Sequence, residues 1–124
     1  MTCILCIDDN QDVLEPLGEM LRASGFKTLA ALSGKQGIRL LLQNSVDLVV
    51  LDYEMPEMNG GLVAQAIRRC KPKIPIILFT GMLDDIPYRV RHNVDGLVHK
   101  TDFDGLLTSI NTLTNVSLGT RKAT

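Results

Sequence analysis

A chain of 124 residues with 45% apolar and 22% charged side chains has the make-up of one ordinary globular domain, and at this length folding buries roughly two-thirds of the surface the unfolded chain exposes. Its net charge of -1 provides no long-range pull toward nucleic acid or an anionic membrane. There is no basic region leading into an apolar stretch and cleavage site, no apolar run approaches the ~20 residues that span a bilayer, and three cysteines cannot all pair, so a reduced cytoplasmic setting without disulfides is expected.

In chain order, Cys3-Ile4-Leu5-Cys6-Ile7 reads as a first strand ending in Asp8-Asp9. Cys3 and Cys6 have the Cys-x-x-Cys spacing of redox and metal motifs, but residues three apart on a strand point to opposite faces, so both are read as buried. Cys70 has no visible partner. A first helix is expected from Asp12, which has capping-box spacing to Glu15, to Ser24 before Gly25. Leu14, Leu17, Met20 and Leu21 form its inward stripe, and Pro16 falls in or just past the first turn, where it removes at most one backbone hydrogen bond. Lys27–Ala31 reads as the second strand. Ser33 and Gln36 then offer a capping box for a helix carrying Ile38, Leu41 and Leu42 to about Asn44.

The third strand is expected over residues 47–51, where an apolar run delivers Asp52 to a strand end. A helix follows Asn59-Gly60-Gly61 with Leu62, Val63, Ala66 and Ile67 inward, and it stops before Pro72, because the residue preceding proline avoids the helical region. Residues 74–79 form the fourth strand and end in Thr80. The stretch 81–95 has few apolar anchors, and a short, mobile element is expected there with Asp84-Asp85 as a cap. Gly96–His99 is the last strand, ending in Lys100. Asp102 caps a final helix carrying Phe103, Leu106, Leu107, Ile110 and Leu113. The domain is expected over residues 1–116, with 117–124 a polar tail or the start of a linker.

Strands alternating with amphipathic helices indicate parallel βαβ units, and right-handed crossovers place helices on both faces of the sheet. The expected fold is therefore α/β, a flavodoxin-like (βα)5 doubly wound sandwich with strand order 2-1-3-4-5. In that order Asp8, Asp9, Asp52 and Thr80 meet at one sheet edge and Lys100 arrives from the adjacent strand. Three carboxylates in one cleft repel, so they need a counter-charge. Oxygen-only ligands suit Mg²⁺, and Lys100 supplies further positive charge. A carboxylate beside such a metal can attack a phosphoryl group and form an acyl phosphate, with Thr80 and Lys100 taking phosphoryl oxygens.

These residues, in this order on these strands, resemble the receiver domain of response regulators in bacterial two-component signalling, in particular the single-domain, chemotaxis-regulator-like form. The resemblance covers nearly the whole chain and includes the turn residues Met55-Pro56 and Asn59-Gly60, where the glycine is expected to permit an uncommon backbone conformation. It implies Asp52 as phosphoacceptor, Thr80 and Lys100 as phosphate-contacting residues, and Asp8, Asp9, Asp52 and the Glu54 backbone carbonyl as Mg²⁺ ligands. It also implies a sensor histidine kinase or a histidine phosphotransfer protein of a phosphorelay as donor, a downstream protein target and a phosphorylation-dependent homodimer. No direct contact with nucleic acid or membrane is implied. The chemistry would be self-directed phosphotransfer and autodephosphorylation rather than enzymatic turnover.

The chain departs from the family at two positions. Thr101 follows Lys100 where the family has a proline, and Leu97 occupies the place of an aromatic residue that swings inward on activation. Glu54 and Met82 lie where the family tunes phosphoryl lifetime. His92 and His99 are read as structural or solvated, His99 being an electrostatic neighbour of Lys100. Residues 81–93 and the last helix are the expected partner surface. No output domain fits after the last helix, so the chain acts through a separate partner or belongs to a longer protein. Two rival readings are a receiver-like binding module that signals without phosphorylation and a phosphohydrolase of the haloacid dehalogenase type. The second places its nucleophile on the first strand with an aspartate two residues on, whereas here the acid is on the third strand and that position is Glu54.

Overall fold

The computed structural model describes residues 1–123, with side chains described for residues 1–115. It contains β1 (Cys3–Ile7), α1 (Gln11–Ala23), β2 (Lys27–Ala31), α2 (Gly34–Gln43), β3 (Leu48–Leu51), α3 (Gly60–Cys70), β4 (Ile76–Thr80), a 3-10 turn (Leu83–Asp85), α4 (Tyr88–His92), β5 (Gly96–His99) and α5 (Phe103–Ala123). The strands form one parallel sheet in the order β2-β1-β3-β4-β5, as expected. Strands β1, β3 and β4 are buried along their whole length. Covered on both faces, they read in sequence as continuous apolar runs rather than alternating ones.

Alternate residues of those strands feed two cores. Ile4, Cys6, Leu48 and Val50 pack with Leu14, Leu17 and Leu21 of α1 and with Leu106 and Ile110 of α5. Leu5, Ile7, Val49 and Leu51 pack with Leu41 of α2, Val63, Ala64 and Ile67 of α3, and Ile86. Cys3 and Cys6 are buried, unbridged thiols, and burial pushes the Cys6 thiol up to about 12, so it stays protonated and packs as an apolar group.

Several local expectations change in three dimensions. The cap of α1 is Asn10, whose side chain accepts the Asp12 N–H at 3.0 Å, so the cap lies two residues earlier than the Asp12–Glu15 spacing suggested. Met20, Leu42 and Leu62 face solvent. Their places against the sheet are taken by Gly18, by Gly34 and Gly37, and by Ala64. Small residues bring the helices close: a Cβ at Gly37 would run into the Ile7 side chain. Ser33 caps α2 as expected, its Oγ accepting the Gln36 N–H at 3.1 Å, while Gln36 Oε1 reaches past the cap to accept the Leu32 N–H at 2.8 Å in place of the Ser33 N–H of a capping box. Thr80 is the last residue of β4 itself. Between β4 and β5 the chain makes only the 3-10 turn and the five-residue α4, in keeping with its scarcity of apolar anchors. Helix α5 runs to Ala123, through residues expected to be a polar tail or the start of a linker. The side chains on which a tail at 117–124 would be judged lie outside the described residues. Among the described residues no helix is long and apolar enough to cross a membrane.

Candidate functional site

Parallel strands end on the same edge, so the residues after β1 and β3 and the end of β4 come together there. The Asp52 N–H donates to the Ile7 carbonyl at 2.9 Å, which holds the start of the β3–α3 loop against the end of β1. The Asp8 N–H donates in the same way to the Ala31 carbonyl of β2 at 3.1 Å. Asp8, Asp52 and Thr80 are buried, whereas Asp9 is exposed. Carboxylate oxygens of Asp8, Asp9 and Asp52 lie within 4.8 Å of one another. Asp9 also borders a cleft of about 420 Å³ shared with Leu32, Met55 and Met58, so the acidic group opens to solvent on that side.

Lys100 reaches into this cluster from the end of β5. Its Nζ is 3.0 Å from Asp8 Oδ2 and 3.3 Å from Asp52 Oδ2. Its backbone N–H donates to the Thr80 carbonyl at 3.1 Å, which ties the lysine to the end of β4. The Thr80 hydroxyl accepts the Met82 N–H at 3.3 Å, so it also anchors the loop that follows. Of the two Asp52 oxygens, Oδ1 is buried and makes no hydrogen bond.

Electrostatics follow from this packing. Burial raises the Asp52 pKa and the Asp8 charge raises it further, while Lys100 and the Glu54 backbone N–H oppose the rise without cancelling it. Burial works to lower the Lys100 pKa, but its hydrogen bonds and charge interactions with Asp8 and Asp52 outweigh burial and hold it above the ordinary value. The lysine is therefore a permanent cation at neutral pH. Three carboxylates and one ammonium still leave two negative charges in the cluster. An oxygen-only donor set with that excess and one unsatisfied buried oxygen fits a hard divalent cation such as Mg²⁺. Glu54 is exposed, and its carboxylate is not part of the cluster.

Gly60 matters here for space rather than for its dihedral angles, a correction to the expected role. Among the described residues only Gly25 has positive φ, at 95°. A Cβ at Gly60 would lie 2.6 Å from the Asp52 carbonyl oxygen and 2.7 Å from the Tyr53 Cα, so only glycine lets α3 begin against the loop that carries Asp52.

The structure also shows a role for His99 that was not evident from its sequence neighbours. Its Nδ1 lies 2.7 Å from Thr101 Oγ1 and accepts the Thr101 N–H at 3.2 Å, bracketing Lys100. The legible signal was only the tripeptide His99-Lys100-Thr101 at a strand end.

Comparison with known proteins agrees with this geometry. The response regulator receiver domain profile matches residues 4–111. Response regulator SaeR of Staphylococcus aureus is 35% identical over 102 residues, which are 81% of this chain and 44% of SaeR, so the chain spans less than half the length of that relative. A crystal structure of response regulator protein TrrA from Thermotoga maritima in complex with Mg(2+)-BeF superposes with a TM-score of 0.86 at 32% identity, covering 91% of this chain and 99% of TrrA. A crystal structure of histidine kinase ThkA in complex with TrrA matches at TM-score 0.84 and 32% identity, covering 91% of this chain and 98% of the matched chain. With its profile match, its strand order and its acidic cluster, this chain belongs to the response regulator receiver domain family.

Proposed function

We propose that this chain works in the cytoplasm as a phosphoacceptor switch, taking a phosphoryl group onto Asp52 from a sensor histidine kinase or a histidine phosphotransfer protein. The observation that carries this reading is the buried, unpartnered Asp52 Oδ1 beside Asp8, Asp9 and Lys100. The likeness to TrrA, which has been crystallised with Mg(2+)-BeF and with a histidine kinase, supports it.

In the transfer an Asp52 oxygen bonds to phosphorus as the bond from phosphorus to the donor atom breaks, and the electron pair leaves with the donor. The Asp8, Asp9 and Asp52 carboxylates, together with the Glu54 carbonyl, would hold Mg²⁺, which when bound would supply positive charge to offset that on the phosphoryl oxygens. Lys100 turns its ammonium from Asp52 to one phosphoryl oxygen, and the Thr80 hydroxyl takes another. Because the Lys100 N–H is bonded to the Thr80 carbonyl, the two respond together. The chemistry is self-directed: Asp52 is both acceptor and, on hydrolysis, the group released, with Glu54 and Met82 at the edges that water must cross.

The signal leaves through the β4–α4 segment. The Thr80 hydroxyl holds the Met82 N–H, and Arg91 of α4 donates to the Leu83 and Ile86 carbonyls at 2.7 and 2.9 Å. Movement of Thr80 toward a phosphoryl group is thereby passed to α4 without an aromatic residue at Leu97. A downstream protein, or a second phosphorylated copy, reads the altered face. The test is intact mass after incubation with Mg²⁺ and acetyl phosphate, comparing the wild type with Asp52→Asn and with a metal-free control. One added phosphoryl group that needs both Mg²⁺ and Asp52 supports the reading. Absence of an adduct from this donor and from histidine phosphodonors would favour a phosphorylation-independent binding module.

A further inference from the structure

Lys100 acts at the end of a long side chain, so its usefulness depends on what fixes its backbone. The Asp102 N–H donates to the His99 carbonyl at 2.8 Å, which makes residues 99–102 a four-residue turn with Lys100 and Thr101 at its centre. In such a turn the N–H of the third residue usually lacks a partner. Here the first residue's own side chain supplies one, since His99 Nδ1 accepts the Thr101 N–H at 3.2 Å and also meets the Thr101 hydroxyl at 2.7 Å. This is the geometry by which aspartate and asparagine brace turns, with a ring nitrogen replacing the side-chain oxygen. Both contacts are served together when Nδ1 acts as the acceptor. Beyond the turn, Asp102 Oδ1 accepts the Gly105 N–H at 2.8 Å and anchors the chain onto α5.

We propose that His99 and Thr101 form a side-chain staple across Lys100 that positions its ammonium over Asp8 and Asp52, and so sets the rate at which Asp52 accepts a phosphoryl group. The staple's kinetic consequence rests on the phosphoacceptor reading; its structural consequence does not. His99 and Thr101 are positioning residues, acting only through Lys100.

The test compares His99→Phe, which keeps a ring without the acceptor, Thr101→Val, which keeps the shape without the hydroxyl, and His99→Asn, whose amide oxygen can brace the same turn. Each is made in the wild type and in a Lys100→Ala background. Phosphorylation by acetyl phosphate with saturating Mg²⁺ is followed as a function of donor concentration. His99→Phe is expected to lower the maximal rate on the order of ten-fold, the scale at which supporting contacts act on a reacting group, with the donor KM unchanged. His99→Asn restores most of that loss, and His99→Phe has no further effect once Lys100 is alanine. An unchanged maximal rate in His99→Phe, or an equal loss in the Lys100→Ala background, overturns the proposal. Should the wild type form no adduct from acetyl phosphate or from a histidine phosphodonor, the phosphoacceptor reading fails and the staple is decided by NMR. A slowly exchanging Lys100 ammonium signal seen in the wild type and His99→Asn but lost in His99→Phe supports it, and persistence of the signal in His99→Phe overturns it.

Discussion

Replacing Asp52 by asparagine should make the metal-free protein more stable, although it removes a salt bridge. Asp52 is 3% exposed. With an effective dielectric constant near 20, an Asp8 charge no more than 4.8 Å away repels it by at least about 3.5 kcal/mol, and the Lys100 ammonium at 3.3 Å attracts it by about 5 kcal/mol. Taking a carboxylate out of water costs several kcal/mol more. The sum is a net penalty of about 1–2 kcal/mol for the ionised group, in line with the raised Asp52 pKa caused first by burial and then by Asp8. Asparagine has the same shape and no charge. At neutral pH in EDTA, Asp52→Asn should therefore melt roughly 3–8 °C higher than the wild type.

The pH dependence gives a second check on the same reasoning. A carboxyl whose folded pKa lies above its unfolded value binds more protons when folded, so its ionisation lowers stability as pH rises from the unfolded value through the folded one. The gap between variant and wild type should be widest at neutral pH and should close as pH falls through the folded pKa toward the ordinary carboxylate range. Thermal melts and urea titrations across that interval, in EDTA, measure it. A variant that is equal to or less stable than the wild type at neutral pH, or a gap that widens in acid, would refute the argument.

Other perturbations separate the parts of the site. Lys100→Ala leaves Asp8 and Asp52 buried without their cation and should cost about 2–4 kcal/mol in a urea titration; because the folded lysine pKa is raised, the wild-type advantage holds below the unfolded value and is lost as alkaline pH passes the folded one. Saturating Mg²⁺ should stabilise the wild type by about 2.7 kcal/mol at a hundred times its Kd, an increment that calorimetry should find much reduced in Asp9→Asn. Gly60→Ala forces a Cβ against the Asp52 carbonyl and Tyr53 and should cost about 1–3 kcal/mol together with Mg²⁺ affinity, read by melting and titration. Arg91→Ala releases the Leu83 and Ile86 carbonyls; amide hydrogen exchange should rise in 81–92 while the rate of phosphorylation stays near the wild-type value, since Arg91 touches the output segment and not the acidic cluster.

The residues of the site were legible because each ends an apolar run, and in a parallel sheet all such ends share one edge. Asp8, Asp9, Asp52 and Lys100 are brought together as their positions in the chain implied. Helix faces were less legible. Met20, Leu42 and Leu62 fit a helical stripe by residue type yet face solvent, because the packed face of each helix is chosen by how closely glycine and alanine let it approach the sheet. Residue 91 illustrates the same limit: in sequence it is one of several surface arginines, and in the fold its guanidinium ties α4 to two carbonyls of the preceding loop.

Alternation of strand and helix, the handedness of crossovers and the placing of acids at strand ends depend on local periodicity and backbone chirality, so the order of residues was enough to determine the fold class, the strand order and the membership of the acidic cluster. The brace of His99 and Thr101 around Lys100, the unpartnered Asp52 oxygen and the close approach at Gly60 depend on where individual atoms come to rest in the folded chain. Those are decided by packing, where differences of an ångström separate a hydrogen bond from a clash, and only the tertiary structure resolves them.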